Sequence, residues 1–504
     1  MNLIQPKKLW ILNPGKYSIA VQYIILLILI YIPVFGYMES VPIQLYDESR
    51  LANNAYEMYH DGDLVVTHFE GKPDMWNTKP PLMIWFQVFF MKLFGDRELS
   101  VRLPSALGAF LTCLTILFFS VRYAKDFWYG FIAIVVLVSA VGYINHHAVR
   151  TGDYDALLTL FTTLYCLSFF IFVETNSRRF LYLTFIAIIL AALTKGIGGM
   201  FFIPALMLYS IIRKKFLPIV KSRDTYIGIA LFLFVVVGYY LLRENHNPGY
   251  IKAVWANELG GRYFETIEGH KAEFWFYYKM LVKYHFPYWC LILPVGVLVG
   301  FLHPDQFFRK LTWFLTLMVG FYFLVISFGQ TKLEWYTVPM YPFLAMIVAI
   351  AIHFVFGITK SFFEKKKSYG LFKVMPYVLL IAIFIHPYSA IARRTIKPRV
   401  FPWDEEFYRI DYYLKDAIKG QHNVNGYNVL LNGVDSNTLF YIRVLRDKGV
   451  DISAKFDWMN LTEGEKAIVH QKGVHEYIEL NFEYDVVART DNIALYRINK
   501  KKRL

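Results

Sequence analysis

A chain of 504 residues that is 56% hydrophobic and 18% aromatic, with a mean hydropathy of +0.37, is too apolar to be a soluble domain of that length. A net charge of +14 would suit a nucleic-acid binder, but the basic residues gather in short loops on one side of apolar runs, which excludes that reading. Three cysteines, Cys113, Cys166 and Cys290, fall within or at the ends of those runs, so a disulfide framework is excluded and they read as small core residues.

Crossing a bilayer takes roughly 17–25 apolar residues. Such runs lie near 18–38, 100–121, 127–146, 155–173, 179–194, 197–212, 224–242, 286–302, 311–329, 335–357 and 371–391. The pair 179–194 and 197–212 is short enough to be one broken span. A polytopic α-helical membrane protein with about 11–13 transmembrane helices is therefore predicted. The first run is too long for a cleavable signal peptide and lacks a small-residue cleavage site. With the N-terminus (Lys7, Lys8, Lys16) cytoplasmic, alternate short loops carry Arg122/Lys125, Arg178/Arg179, Arg213 to Arg223, Arg309/Lys310 and Lys360 to Lys373. The short loops of the other face hold only Arg150, Lys195 and Lys332. That asymmetry orients the chain and places loops 39–99 and 243–285, and everything from 395 to 504, outside.

The first loop opens on "YDESRLANNAYEMYHDGD", whose apolar and aromatic residues form a helical stripe. Asp47 and Glu48 begin it. Acids at a helix start are stabilising by about 0.3–1 kcal/mol, and Glu48 fits that reading as well as a chemical one. Asp47, beside Tyr46 and a short step from the first span, is the stronger catalytic candidate. Next, "WNTKPPL" sets Lys79 before Pro80 and Pro81, which hold it in extended geometry. Lys79 then either snorkels to the interface or presents a fixed ammonium to an anionic lipid head group. "PPLMIWFQVFFMKLFG" is too short to span and suits an interfacial helix.

Farther on, "NHHAVRTGDYDALLTLF" places Arg150, Asp153 and Asp155 where a span re-enters the membrane. A carboxylate at the start of a membrane helix is a functional candidate because its burial is costly, and Asp153 is equally an N-cap. Lys195 in "LTKGIGG" and Lys332 in "GQTKLEWYTVPMYP" are isolated lysines on the outer side. Lys332 with Tyr336 reads as a phosphate clamp. Loop 243–285 adds Asn257, Glu258, Arg262 and His270. Arg262 offers a second, bidentate phosphate contact, and no Cys/His spacing there supports a zinc site.

From about 395 the composition changes. "YNVLLNGV" reads as a buried strand, "SNTLFYIRVLRDKG" as a helix, and "EYDVVARTDNIALYRIN" as a hairpin turning near Asp491-Asn492. The expected organisation is a membrane domain over 1–394 and a small soluble α/β domain over 395–504.

Carboxylates activate a hydroxyl nucleophile, and cations stabilise a departing phosphate. Together on one membrane face they describe glycosyl transfer from a lipid-phosphate sugar. A transporter is the rival of another class, but no repeat is visible and the charges gather at one surface, not at the midplane. A lipid-glycan ligase is the rival within the enzymes, and a non-catalytic surface protein with a partner-binding outer domain is a third.

The stretch from "YDESR" through "WNTKPPL", then "RTGDYDAL", "LTKG", "NELGGRYFETIEGHKAEFWFYY" with "FPYW", and "TKLEWYTVPMYPFLA" resembles, in that order, the integral-membrane C-type glycosyltransferases. The likeness covers about residues 20–350 and is nearest the bacterial aminoarabinose transferases of lipid A, more distant from protein O-mannosyltransferases. It implies the C-type fold, with Asp47 as the key catalytic carboxylate, Asp155 as a second acid and Glu48 in support. It also implies that Lys79, Arg262, Lys332 and Tyr336 lie near a polyprenyl phosphate, with Arg150, Asp153, Lys195, Glu258 and His270 supporting. The donor would be a polyprenyl-phosphate sugar. The acceptor would be a lipid A-like glycolipid, a surface glycan or a protein hydroxyl on the outer face of the inner membrane, and transfer would invert the sugar carbon. The aminoarabinose enzymes can hold a metal with an acid just before the proline-motif lysine and a later histidine. Here Thr78 takes the acid's place and only His270 matches, so a metal is allowed but not predicted, and no other cofactor or nucleic-acid partner is expected.

Overall fold

The computed structural model describes residues 16–261, 269–365, 373–398, 402–433 and 435–502. Arg262, and the lysines Lys7, Lys8, Lys366 and Lys367 that bear on orientation, lie outside these residues. The chain forms two compact units. One comprises Met1–Gly36, Met75–Met83 and Pro104–Ile396, the other Tyr37–Asp74, Ile84–Leu103 and Lys397–Leu504.

The first unit is helical. In chain order, α1 (Lys16–Phe35), α4 (Glu98–Phe119) from Pro104 on, and α5 (Phe127–Val138) precede α6 (Tyr154–Thr175) and α7 (Arg178–Lys195), which pack along each other; α2 (Asp47–Asp61) and most of α3 (Leu82–Phe94) belong to the second unit. Nearly every residue of α6 is buried, whereas Arg223–His246 leaves most of its apolar surface uncovered, Phe234 being 80% exposed. Burial on all sides marks a bundle interior, and an uncovered apolar helix marks a lipid-facing one.

Seven helices among the described residues are long and apolar enough to cross a membrane: Glu98–Ala124, Tyr154–Thr175, Arg178–Met200, Arg223–His246, Gln306–Phe328, Glu334–Phe363 and Met375–Ile396. Five more apolar helices are shorter, Ile19–Phe35, Leu82–Phe94, Phe127–Val138, Ile203–Ile212 and Ile292–Phe301. By length and composition seven pass and five more are shorter, beside the eleven to thirteen spans expected from the sequence. An apolar run is not always one helix. The run 127–146 stops at Ser139, whose hydroxyl bonds back to the carbonyls of Val135 and Val136, and the chain then turns through 140–150. In 286–302 the residues before Ile292 are turns.

Two glycines shape the ends and contacts of these helices. On α4, a Cβ at Gly108 would lie 3.0 Å from the Leu157 Cα, so its absence lets α4 close on the first turn of α6. Gly196, with φ +53, ends α7 in a backbone conformation that favours glycine and leaves Lys195 as the last helical residue.

The second unit is an α/β layer. β3 (Tyr427–Leu430) is parallel to β4 (Ile452–Lys455) and β5 (Lys466–Val469), β7 (Ile493–Lys501) is antiparallel to β5, and β6 (Phe482–Thr490) pairs with β7. The sheet order is β4-β3-β5-β7-β6, and the minor strands β1 (His68–Phe69) and β2 (Lys72–Pro73) form a separate pair. The expected strand, helix and hairpin are all present, the helix as Ser436–Asp447 and the turn with Asp491 at φ 53. Apolar residues of the sheet (Val429, Ile468, Leu495) and its helices (Leu414, Leu445) share one core with Ala52, Ala55 and Met58 of α2 and Val88 of α3. Most of the loop expected to lie with the membrane helices is therefore built on the C-terminal sheet, because α2 buries its apolar stripe there.

Within that unit Asp411, on the helix Pro402–Ile418, is fully enclosed. Burial pushes its carboxyl up to about 8, against the hydrogen bonds it accepts from Thr438 (2.8 Å) and Asn437 (2.5 Å). The folded state then keeps a proton that the unfolded chain loses near its ordinary pKa of about 4, so this group's contribution to stability falls as pH rises from about 4 to 8. Asp411→Asn removes the charge, and Asn437 Oδ1, which has no partner among the described residues, accepts from the new amide once the Asn437 amide turns over. We expect a Tm higher by roughly 2–8 °C at about pH 8 and nearly unchanged at about pH 4. Thermal scans across pH that show no divergence between the two proteins would refute the buried-proton assignment.

Candidate active site

The first unit brings two groups of predicted residues together. The first surrounds the proline motif. Lys79 Nζ lies 3.4 Å from Glu258 Oε1 and 5.3 Å above the ring of Tyr154. The segment that carries it is held at three further points. Tyr250 donates to the Thr78 carbonyl (2.8 Å), Asn257 donates to the Met75 carbonyl (3.1 Å), and Tyr154 donates to Asn77 Oδ1 (2.8 Å). Pro80 and Pro81 cannot donate to a helix, so side chains from helical segments distant in sequence hold this stretch open and aim the lysine. Thr78 is buried, and its hydroxyl donates to Glu258 at 3.4 Å.

The second group gathers at the start of α6. Asp153 caps the helix, accepting from Tyr154 N at 2.7 Å. Its other oxygen meets His147 Nδ1 at 2.9 Å. Burial works against the Asp153 carboxylate, but the hydrogen bond and charge of His147, with Lys195, outweigh it and hold the carboxyl below its usual range. The His147 ring stacks on Trp335 at 3.8 Å. One residue into the helix, Asp155 receives Lys195 Nζ on both oxygens, at 2.7 and 2.6 Å, with side-chain exposures of 1% for the acid and 13% for the lysine. The ring of Tyr336 lies 5.4 Å from the same ammonium, so Tyr336, expected beside Lys332, partners Lys195. The two groups adjoin. A methyl placed on Gly196 would come within 4.0 Å of Pro80, and Tyr154 and Asp155 are consecutive.

Other expected residues sit apart from these contacts. Lys332 is buried and turns its ammonium to the carbonyls of Ser327, at 2.8 Å, and Gly329. That burial lowers its pKa from the ordinary lysine value. Its backbone N–H donates to the carbonyl of exposed His270 at 2.9 Å, and Arg150 donates to the Pro33 carbonyl at 3.3 Å.

In the second unit Asp47 is the first residue of α2 and half-buried. Glu48 is only 1% exposed and clamped by Arg102, Nε to Oε1 at 2.7 Å and Nη2 to Oε2 at 2.9 Å, while the Gln44 N–H donates to Oε2. Arg102 spends its remaining donors on the carbonyls of Met38, Val41 and Pro42, so the entry to α2 is fixed around one buried ion pair.

Sequence reasoning did not single out His147, Trp335, Tyr154 or Arg102. His147 stood in the quoted "NHHAVRTGDYD", six residues from Asp153, and was the one of these that spacing could have drawn out.

Overlay on solved structures decides the architecture. The crystal structure of ArnT from Cupriavidus metallidurans bound to undecaprenyl phosphate superposes with a TM-score of 0.69 over 96% of this chain and 98% of that one, at 15% identity. The chain has the C-type glycosyltransferase fold. The oligosaccharyltransferase of Archaeoglobus fulgidus gives a TM-score of 0.54 over 94% of this chain and 69% of that one, at 12% identity. In sequence, the family described as dolichyl-phosphate-mannose-protein mannosyltransferase matches residues 78–240. The chain is related to an undecaprenyl phosphate-alpha-4-amino-4-deoxy-L-arabinose arabinosyl transferase of Aeromonas hydrophila, 28% identical over 365 residues. The corresponding protein of Aeromonas salmonicida is 26% identical over 366 residues. Each alignment takes in 70% of this chain, and the chain spans just under two thirds, 64%, of each relative.

Proposed function

We propose that this membrane protein transfers a sugar from a polyprenyl-phosphate donor to an acceptor on the outer face of the inner membrane, with its N-terminus cytoplasmic. The observation that carries the reading is the fold correspondence over nearly the whole chain with a protein bound to undecaprenyl phosphate, joined to sequence relatives named for transfer from that carrier. Asp47 orients the acceptor and, where that is a hydroxyl, takes its proton. The acceptor oxygen attacks the sugar C1 as the C1–O bond to phosphate breaks, and the phosphate departs as an anion that needs charge and no proton. Lys79, Arg262, Lys332 and Tyr336 serve the donor phosphate. Lys79 is the best prepared of these, being held near Glu258 and over the ring of Tyr154. Asp155 and Lys195 keep the floor beneath it charged and rigid. Glu48 acts through Arg102 as a positioning residue for α2. A single displacement inverts the sugar carbon. The acceptor class remains a lipid A-like glycolipid, a surface glycan or a protein hydroxyl.

The test is lipid extraction and mass spectrometry of cells lacking the protein. The expected result is accumulation of one polyprenyl-phosphate sugar, reversed by restoring the gene. An unchanged lipid-linked pool would sink the proposal, and a product with retained anomeric configuration would remove the single-displacement step.

A further inference from the structure

Away from the residues of the candidate active site, three helix ends of the second unit meet. His60 lies in the last turn of α2, Asp447 is the last residue of the helix Ser436–Asp447, and Asp96 follows the end of α3 by two residues. His60 Nε2 stands 3.2 Å from Asp96 Oδ2 and 3.4 Å from Asp447 Oδ2, and all three donor atoms lie within 4.8 Å of one another.

These acids stand where helices tolerate them least. The C-terminal end of a helix carries about half a negative charge, so it favours cations and disfavours carboxylates. Three such ends converge here, with two aspartates added. Asp96 Oδ1 is buried with no hydrogen-bond partner among the described residues. The neighbouring Arg97 is engaged by Glu39 at 2.6 Å and does not offset it. Charge-assisted hydrogen bonds run about 2.7–2.9 Å, shorter than either contact of His60. The observed separations match instead the edge of a tetrahedron built on metal–ligand bonds of about 2.0–2.1 Å, which is roughly 3.3 Å.

The surroundings fix the donors as the outer shell of a metal site does. Tyr56 donates to Asp447 Oδ2 at 2.6 Å. The rings of Tyr56 and Tyr59 flank the imidazole at 4.3 and 4.9 Å. His60 and Asp447 are each 38% exposed and Asp96 14%, so the fourth corner is open to water. One imidazole and two carboxylates suit a borderline first-row ion more than calcium or magnesium, which prefer all-oxygen shells.

We propose that His60, Asp96 and Asp447 bind a divalent first-row metal ion, Zn2+ fitting the donor set, with water as fourth ligand. The ion pins the far end of the first-loop helix α2 to the C-terminal α/β layer. No part of this rests on the sugar-transfer reading, and the test does not use transfer as its readout.

The full-length protein in detergent, stripped with a chelator and desalted, is titrated with Co2+ as a spectroscopic probe and then with Zn2+. The expected result is tetrahedral Co2+ absorption, displaced by Zn2+. His60→Ala and Asp447→Asn each bind one Co2+ fewer per chain, or bind it at least roughly ten-fold more weakly. Zn2+ raises the Tm of the wild type and leaves that of both variants unmoved. Equal stoichiometry and affinity in the three proteins, or no Co2+ binding by the wild type, overturns the proposal. Should His60→Ala fail to fold, Asp447→Asn, which keeps the side chain's size, decides the same question.

Discussion

Replacing Asp47 by Asn is expected to lower sugar transfer by at least about 100-fold, the lower bound for losing a positioned general base, while donor binding and Tm stay near those of the wild type. The expectation rests on placement. Asp47 is half-buried at the first position of α2, where an acid adds only about 0.3–1 kcal/mol to the helix, and asparagine keeps its size. Its neighbour should behave in the opposite way. Glu48→Gln leaves Arg102 charged and fully buried, and breaking such a pair costs about 3–5 kcal/mol. Loss of folded protein, not a selective loss of turnover, is the expected outcome. Turnover and thermal scans on both variants check the division. A fully active Asp47→Asn removes the catalytic role, and a stable but inactive Glu48→Gln would move that role one residue along.

The second large effect belongs to the Asp155–Lys195 pair. Lys195→Met strands a buried carboxylate at the head of α6 and should destabilise the protein by about 3–5 kcal/mol. Adding Asp155→Asn removes the stranded charge, so the double variant should regain most of the lost stability, because a neutral pair of similar volume is often tolerated. Transfer should stay low in the double variant if the pair keeps the site's charge in place. A stable and fully active double variant would reduce the pair to a structural contact. Additive losses of stability would show that the two residues do not interact.

Much of the local design was legible. The stripe that makes α2, the prolines that hold Lys79 out of a helix, the capping Asp153 and the turn at Asp491 all follow from short-range chemistry, and the structure has each of them. Pairings were less legible. Asp155 and Lys195 are separated by 40 positions and Glu48 and Arg102 by 54. Nothing local says that α7 ends beside the first turn of α6, or that α4 delivers an arginine to the start of α2. The ends of helices within apolar runs were less legible for a related reason. Hydropathy measures whether a segment tolerates an apolar setting, not whether its backbone stays helical, and Ser139 and the turns before Ile292 interrupt runs of unbroken apolarity. The apolar stripe of α2 was visible, but its cover lay more than 350 residues away.

That shared core changes how the gene can be cut. Residues 397–504 look like a detachable cap, yet Met58 and Ala55 of the first loop are sealed by the same cluster as Tyr441 and Leu445. A fragment ending near 396 would lose the surface that α2 is folded upon, so swapping C-terminal segments between relatives would have to carry residues 37–74 and 84–103 along. The natural unit of exchange is discontinuous in the gene although continuous in space.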